Sequence, residues 1–373
     1  MSGSKSGIFV LLTLLALVAP SSAGVRYATE NGANTGDCTG GWSSACSLGH
    51  AIAQAAAGDQ VWVKAGTYGP ITLKDGVKII GGFDGGETAA SQSDYEAKRT
   101  VIDGGGARAI TSSNNSADTI LRGFVIRNGA DESTDGGGGL HVAGGSPKFV
   151  ECVFEDNSAT FWGAAAAIVG GSTAEFVSCT FRNNGDAKAK LPYGGGAVFV
   201  KSSSPAFVNC LFSNNSSGAG PGVAVMAGAP TIVNCTFAYN TATVTYGGAV
   251  HDEGGRAVLR NSILWGNTAE SGGDQIWNLP DRARTTVTDS NVQGGWPGDG
   301  NINTDPQFGN VAAGAFDLAT DSPCKHAGRT AALPVDSADL DWDGNVTEKV
   351  PLGRQGVVRK GAIDMGVCAV VRR

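Results

Sequence analysis

A histidine and two acids stand side by side between pairs of glycines at residues 247–255, GGAVHDEGG. Imidazole and carboxylate groups are the side chains that most often move protons in enzymes. His251, Asp252 and Glu253 are therefore candidate catalytic residues. The stretch also fits a structural alternative, in which the terminal coil of a repeat becomes polar as its core ends and Asp252 is hydrogen-bonded at that edge. Which interpretation holds depends on the elements that carry these residues.

The sequence around this stretch is repetitive. Four cysteines, at intervals of 27, 31 and 25 residues, open the same phrase: CVFEDN at Cys152, CTFRNN at Cys179, CLFSNN at Cys210 and CTFAYN at Cys235. Glycine phrases such as GGGLHV, GGGAVFV and GGAVHD alternate with these cysteine phrases along the chain. This periodicity predicts a solenoid whose units cannot bury their apolar faces alone. Abundant glycine, β-branched and aromatic residues, without a 3.6-residue apolar period, favour strands over helices.

Each phrase position becomes a column along such a solenoid, because equivalent residues of parallel strands stack about 4.8 Å apart. We expect an interior aromatic stack, with the four cysteines beside it as small apolar groups: Phe154, Phe181, Phe212 and Phe237. We also expect an asparagine column at a turn, where asparagine tolerates the left-handed conformation and its amide can bond the neighbouring coils: Asn157, Asn184, Asn215, Asn240 and Asn267.

Alignment of the glycine phrases predicts an outward-facing strip. Its first column is His141, Ile168, Phe199, Val225 and His251, and its second is Ala143, Gly170, Lys201, Ala227 and Glu253. Trp162, Tyr193 and Tyr246, each one residue ahead of the glycines, are expected along the same edge. Sugar rings stack on aromatic side chains, so the strip is a candidate polysaccharide track. The alternative is that a loop or a second subunit covers it. If it is open, His251→Ala and Phe199→Ala should weaken binding with stability almost unchanged.

The first 23 residues have the pattern of a secretory signal peptide. Lys5 gives a positive n-region, residues 8–18 an apolar h-region, and small residues precede Gly24. We therefore expect the mature protein to be secreted or held at the outer cell surface. No later segment offers the roughly 20 apolar residues that a membrane helix needs. The net charge of -7 argues against nucleic acid as a partner.

The repeats resemble those of polymorphic outer-membrane-protein-like sequences, within the right-handed parallel β-helix superfamily that includes pectate lyases. The opening, SLGHAIAQAAAGDQVWVKAGTY, looks like the usual start of such helices, with a short amphipathic helix that caps the first coil. The C-terminal stretch, from SNVQGGW to GAIDMG, resembles the closing region of exported bacterial proteins called choice-of-anchor Q. The resemblance implies an all-β solenoid with a β-helix at 24–293 and a closing region at 294–373 packed on it.

This superfamily holds lyases, hydrolases, epimerases and adhesins, so the resemblance leaves the chemistry open. A lyase-like site would need Ca²⁺ held by several acids and a nearby base, and a hydrolase would need two carboxyl groups. His251, Asp252, Glu253 and Lys201 are the candidates, but none of the aligned columns has acids on successive coils. We therefore predict binding of an extracellular polysaccharide or another surface component. The alternative is a polysaccharide lyase or a glycoside hydrolase.

Two further features concern metal binding and disulfides. Asp339, Asp341 and Asp343 match the first half of a calcium loop, although Val350 stands where the loop needs its bidentate acid. A weak Ca²⁺ site and an ordinary Asp-rich turn are the two alternatives. In an exported chain, two further cysteine pairs could form disulfides: Cys38 with Cys46, and Cys324 with Cys368.

Overall fold

The structure is a computed structural model that describes residues 23–185, 194–311, 314–336, 345, 347–349 and 363–367. Four sets of predictions concern residues outside this part of the chain: the signal peptide up to residue 22, Tyr193, the three calcium-loop aspartates Asp339, Asp341 and Asp343, and Cys368.

The described residues form one α-helix, three short 3₁₀ helices and 34 strands. The helix is α1 (Leu48–Gln54), and the 3₁₀ helices are Trp42–Ser44, Ala90–Gln92 and Thr330–Ala332. The strands are β1 (Val25–Ala33), β2 (Gln60–Lys64), β3 (Gly66–Tyr68), β4 (Ile71–Thr72), β5 (Lys78–Phe83), β6 (Thr100–Asp103), β7 (Ile110–Ser113), β8 (Ile120–Arg122), β9 (Phe124–Arg127), β10 (Ala130–Asp131), β11 (Leu140–Ala143), β12 (Lys148–Val150), β13 (Val153–Glu155), β14 (Ser158–Ala159), β15 (Ala166–Val169), β16 (Glu175–Val177), β17 (Thr180–Arg182), β18 (Val198–Val200), β19 (Ala206–Val208), β20 (Leu211–Ser213), β21 (Ser216–Ser217), β22 (Val223–Val225), β23 (Thr231–Val233), β24 (Thr236–Ala238), β25 (Thr241–Ala242), β26 (Val250–Asp252), β27 (Val258–Arg260), β28 (Ile263–Trp265), β29 (Thr268–Ala269), β30 (Ile276–Asn278), β31 (Thr286–Thr288), β32 (Asn291–Val292), β33 (Phe308–Asn310) and β34 (Ala315–Leu318).

Three long parallel sheets run the length of the solenoid. The first has ten strands in the order β1-β2-β5-β8-β12-β16-β19-β23-β27-β31, and the second has nine, β3-β6-β9-β13-β17-β20-β24-β28-β32. The third has eight, β4-β7-β11-β15-β18-β22-β26-β30. Two small sheets, β10-β14 and β21-β25-β29, join the second sheet to the third, and β33 and β34 form an antiparallel pair. The prediction of a right-handed parallel β-helix is confirmed.

The interior is built from stacked columns of identical residues. Phe154, Phe181, Phe212 and Phe237 lie ring on ring, with centroids 4.9, 4.8 and 4.4 Å apart. The predicted aromatic stack is therefore confirmed. A second stack, of Phe149, Phe176 and Phe207, has spacings of 4.9 and 5.0 Å. The four repeat cysteines are buried free thiols, and burial raises the pKa of the Cys152, Cys179 and Cys210 thiols.

The asparagine column forms a continuous ladder of buried side chains. Asn215 accepts from the backbone N–H and the side-chain amide of Asn184, both at 3.0 Å, and donates to Asn240 Oδ1 and to the carbonyl of Phe181, both at 2.9 Å. The predicted bonding between coils is confirmed. The left-handed φ belongs instead to the residue before each ladder asparagine, since only that position makes the bend: Asp156, Asn183, Asn214, Tyr239 and Gly266.

Both ends of the solenoid are covered. Helix α1 buries Leu48, Ala51 and Ile52 on the first coil, and the predicted disulfide between Cys38 and Cys46 is present beside it. Near the other end, segments of the C-terminal region bond to the coils through backbone groups, as in Val367 N–H to Thr236 Oγ1 at 3.0 Å and Asn234 Nδ2 to the carbonyl of Asp364 at 2.8 Å.

A long excursion between β5 and β6 is anchored by one buried carboxylate. Glu87 accepts from the N–H groups of Asp84, Gly85 and Gly86 at 2.9–3.0 Å and from Lys98 Nζ at 2.7 Å. Burial alone would raise the pKa of Glu87, but these donors outweigh it and lower the pKa to about 2.

We predict that replacing a ladder asparagine destabilises the protein far more than replacing its neighbour. Asn215→Ala removes both the acceptor for Asn184 and the donor to Asn240, so the free energy of unfolding should fall by about 3 kcal/mol. Asn214 is exposed with φ of 54°, a conformation that glycine adopts freely. The control Asn214→Gly should stay within about 0.5 kcal/mol of the parent in urea unfolding. Equal midpoints for the two variants would contradict the ladder's role.

A second prediction concerns pH. Because the folded pKa of Glu87 is lowered, its contribution to stability is complete above pH 4.5 and is lost as the pH falls towards 2. The protection factors of the Gly85 and Gly86 amides, which correct for the pH dependence of intrinsic exchange, should therefore fall across this range. In Glu87→Gln the exchange should be faster already at neutral pH and depend less on acid. The exposed control Glu270→Gln should behave as the parent, and unchanged exchange in Glu87→Gln would disprove the anchor.

Candidate functional site

The outward face of the third sheet carries most of the predicted site residues, but in a corrected register. Leu140 pairs with Ala166, and Val198 pairs with both Ala166 and Val223. The outward column is therefore His141, Ala167, Phe199, Ala224, His251 and Trp277. Ile168 and Val225 were predicted to face outward, but they point into the core. A run of alanines is compatible with two registers of the strand, and the register adopted is the one that places the larger apolar side chain in the packed interior. The next outward column likewise contains Val169 and Met226 rather than Gly170 and Ala227.

The middle of this strip is covered rather than open. The indole of Trp162 stacks on the ring of Phe199 with centroids 4.4 Å apart, so Phe199 is only 3% exposed. Ala167 and Ala224 on either side are also buried. The centre of the strip therefore matches the alternative in which a loop folds over it. Phe199→Ala would leave a cavity under Trp162, so it is expected to destabilise the protein by about 3 kcal/mol, against the sequence-based expectation of unchanged stability.

Beside the covered centre lies a cavity of about 370 Å³, named here the Lys201 cavity. Its polar lining comes from Thr134, Asp135, His141 and Lys201, and its apolar lining includes Trp162 and Met226. Lys201 is exposed and forms no ion pair with any described residue. Burial and the nearby charge of Arg108 lower the pKa of His141. His141 is therefore neutral at pH 7 and can both donate and accept a hydrogen bond.

His251 and Glu253 form a hydrogen-bonded pair one coil beyond Met226. His251 Nε2 lies 3.1 Å from Glu253 Oε1, and Nδ1 lies 3.1 Å from the carbonyl of Tyr246. The imidazole stacks on Trp277, which in turn stacks on Tyr246. The hydrogen bond from His251 lowers the pKa of the Glu253 carboxyl, which is partly exposed. The pair is held rigidly at the surface.

Asp252 lies on the other side of the same strand and is fully buried. Its Oδ1 accepts from the N–H groups of Gly254 and Gly255 at 3.2 and 2.6 Å, and its Oδ2 accepts from Ala257 N–H and Thr285 Oγ1 at 3.3 and 3.2 Å. The carboxylate therefore closes the turn after β26. Alternation along the strand directs Asp252 into the solenoid, on the side opposite to His251.

The predicted catalytic residues thus separate into distinct places. Lys201 and Glu253 occupy one outward column with Met226 between them, two coil spacings or roughly 9.6 Å apart along the axis. Glu253 is engaged by His251, and Asp252 faces the core. These residues do not fit a calcium site, which needs several oxygen ligands around one ion. Among the described residues, Cys38, Cys46 and His50 also lie close enough together to hold a metal ion. Cys38 and Cys46 are joined in a disulfide, however, so their sulfur atoms are already bonded to each other.

The sequence reasoning missed two residues of this face. Asp135 belongs to a loop before the glycine phrase, and Trp277 lies on β30, whose glycine pair, Gly272-Gly273, stands one residue further from the strand than the pair before β26. This offset glycine pair and a position about one repeat after His251 were the signals for Trp277. Tyr246 and Trp162, which were predicted, do lie along the edge and stack on Trp277 and Phe199 respectively.

A larger cavity, of about 460 Å³, lies where the asparagine ladder ends. Asn267 Nδ2 donates to Gln275 Oε1 at 2.7 Å, and Gln275 Nε2 donates to the carbonyl of Asn267 at 3.2 Å. Gln275 also contacts Gln293 at 3.3 Å. The amides around this cavity are therefore engaged in closing the ladder, which makes the cavity a structural feature of the last coil.

We predict that removal of the charge destabilises the protein at Asp252 but hardly at Glu253. Asp252→Asn replaces one acceptor oxygen by a donor facing backbone N–H groups, so it should lower the free energy of unfolding by about 1–3 kcal/mol. Glu253→Gln, on the exposed side, should change it by less than about 0.5 kcal/mol. Thermal unfolding followed by circular dichroism measures both, and equal melting temperatures would contradict the assignment of Asp252 to the turn.

No helix among the described residues is long and apolar enough to cross a membrane. Comparison with curated proteins gives no match. Similar solved structures include the crystal structure of pectate lyase Pel9A, at 12% identity and a TM-score of 0.42 over 93% of this chain and 96% of that one. They also include ORF18 of Geobacillus virus E2, at 15% identity and a TM-score of 0.32 over 64% of this chain and 54% of that one. At such identities neither likeness bears on activity. A family model described as "Right handed beta helix region" matches residues 89–292, more than half of the sequence, and the chain therefore belongs to that family.

Proposed function

We propose that this protein binds an acidic polysaccharide outside the cell and that the Lys201 cavity is its binding site. The observation that carries the proposal is the combination, in one cavity of about 370 Å³, of an aromatic wall and a cation that has no ion-pair partner among the described residues. Binding cavities for ligands larger than one sugar ring have volumes of about 300–1,000 Å³ and a few convergent polar groups.

The lining matches the chemistry of a uronic acid residue. The indole of Trp162 offers an apolar surface for a sugar ring, and Lys201 offers a point charge for its carboxylate. Asp135 can accept a hydrogen bond from a hydroxyl group, and neutral His141 can donate or accept one. Because Lys201 is exposed, the ion pair should contribute modestly and should weaken with salt.

The proposed location outside the cell rests on three features. The N-terminal 23 residues have the pattern of a signal peptide. The disulfide between Cys38 and Cys46 is typical of an oxidising compartment. The resemblance of the repeats to polymorphic outer-membrane-protein-like sequences, and of the C-terminal region to choice-of-anchor Q proteins, supports a role as an adhesin-like surface component.

Catalysis on the same polysaccharide is the alternative, and the hydrogen-bonded pair of His251 and Glu253 favours it. Both ring nitrogens of His251 face oxygen atoms, Glu253 Oε1 and the carbonyl of Tyr246, so the partly exposed carboxylate of Glu253 is the group of this pair that could accept a proton. A glycoside hydrolase, however, needs two carboxyl groups about 5–9.5 Å apart, and Asp252 is unavailable because it closes a turn. Binding without cleavage is therefore the function that the geometry supports best.

We predict that Lys201→Ala weakens binding of polygalacturonate about twofold to fivefold at low salt, because it removes the cation that faces the carboxylates. Isothermal titration with polygalacturonate and with a neutral galactan measures this. Lys64→Ala, which removes an exposed lysine on the first sheet, is the matched control and should bind as the parent does. The loss should shrink as salt is raised, because screening weakens the parent's ion pair too.

The same samples discriminate between the functions. Equal binding by Lys201→Ala and the parent would remove the Lys201 cavity from consideration. Appearance of unsaturated uronates would establish a lyase, and shortened chains without them would establish a hydrolase. If either occurs, His251→Ala should abolish it while the exposed control Lys64→Ala leaves it unchanged.

A further inference from the structure

A second cavity, of about 220 Å³, lies at the junction of the first and second sheets, under the excursion between β5 and β6. We name it the Tyr95 cavity. The excursion contributes Tyr95, and the turn between the two sheets contributes Glu151 and Ser178. Val125 and Val153 on the outward side of the second sheet form its apolar wall. None of these residues lines the Lys201 cavity.

The turn between the two sheets opens the space that Tyr95 enters. Its successive coils place Gly123, Glu151 and Ser178 at one position, each with a left-handed φ, of 75°, 52° and 54°. A Cβ on Gly123 would lie 2.9 Å from Cβ of Tyr95, too close for any other residue. Glycine in the first coil thus admits the tyrosine, and the next two coils place a carboxylate and a hydroxyl in line beside it.

Glu151 lies at this cavity in a fixed orientation, and its side chain is only 2% exposed. Arg122 Nε donates to its Oε2 at 2.7 Å, and the side chain of Tyr95 lies beside the same carboxylate. Burial and the charge of Glu151 raise the pKa of Tyr95, so its hydroxyl stays protonated and remains a donor. A carboxylate has about four lone-pair positions, which leaves room for a hydroxyl donor from a ligand.

Ser178 supplies the second polar group. Its Oγ is buried and has no hydrogen-bond partner among the described residues, and the residue lines the cavity. A buried hydroxyl without a partner is costly, and such groups in a native structure call for an explanation. A bound molecule with a hydroxyl group would satisfy this oxygen.

Three arginines and three glutamates surround the cavity, so their charges balance: Arg99, Arg122 and Arg182 against Glu96, Glu151 and Glu155. Glu96 lines the cavity and forms no ion pair with a described residue, whereas the other five charges are engaged with one another. Arg99 and Arg182 both bind the carboxylate of Glu155: Arg99 Nη2 lies 3.1 Å from its Oε1, and Arg182 Nε lies 2.9 Å from its Oε2. Arg122 binds Glu151. No described lysine lines the space. The cavity therefore differs from the Lys201 cavity, whose cation is without an ion-pair partner, and it favours a neutral ligand.

From these observations we infer that the Tyr95 cavity binds a single neutral sugar residue, whose hydroxyl groups bond to Ser178 Oγ and to the carboxylate of Glu151, with an apolar ring face against Tyr95 and Val153. Its volume is below the range of cavities that hold larger ligands, so it takes one ring rather than a chain segment. This inference is independent of the function proposed for the Lys201 cavity.

Saturation-transfer NMR on the full chain tests it, with the methyl glycosides of glucose, galactose and mannose as probes and methyl galacturonate as the charged comparator. At least one neutral glycoside should bind, and Ser178→Ala and Tyr95→Phe should each raise its dissociation constant at least tenfold. Ser178→Ala loses no hydrogen bond in the free protein, so its melting temperature should not fall. Tyr239→Phe, a tyrosine outside the cavity, is the matched control and should bind as the parent does.

Three results would overturn the inference: no neutral glycoside binds, galacturonate binds better than they do, or Ser178→Ala binds as well as the parent. Should Tyr95→Phe fail to fold, Ser178→Ala alone decides. Lys201→Ala separates the two sites, because it should leave binding of the neutral glycoside unchanged. Its failure to weaken polygalacturonate binding would count against the Lys201 cavity only.

Discussion

The parallel stacking of one coil on the next, fixed by the asparagine ladder, is the constraint on which the rest of this molecule depends. Each ladder asparagine binds the coil before it and the coil after it, so a shift of one residue in any coil would break bonds in two directions. The phenylalanine stacks follow from the same register, since rings one coil apart meet at 4.4–5.0 Å. The backbone therefore sets which side chains become neighbours.

A site on such a solenoid can be assembled in two ways. Side chains of one outward column lie about one coil spacing apart, which places Lys201, Met226 and Glu253 in a row. The remaining contacts come from excursions between strands, because only they can bring a residue over the face of a sheet. Trp162 covers Phe199 in this way, and Tyr95 reaches Glu151 in the same way. Both candidate sites combine a column with an excursion.

This division explains how much the sequence could predict. Large residues that recur in the same phrase, such as Phe154 and Phe181, have one possible register and were assigned correctly. The alanine phrase around Ala167 permits two registers, and only the size of Ile168 in the packed interior selects between them. The contact of Trp162 with Phe199 depends on the path of an excursion that has no repeat, so periodicity holds no information about it.

Buried polar residues separate structure from function in this fold more clearly than sequence motifs do. Asp252, in the stretch that most suggests an active site, has four donors around its carboxylate and therefore has a complete structural role. Ser178 lies in a repeat phrase that suggests no active site, yet its hydroxyl is buried beside a cavity and has no hydrogen-bond partner among the described residues. Because the backbone of the solenoid satisfies its own hydrogen bonds through stacking, a buried side-chain group left without a partner contributes no hydrogen bond to folding. A buried group of this kind therefore indicates a ligand, whereas an acid with all its hydrogen bonds made indicates a structural role in the turn that it closes.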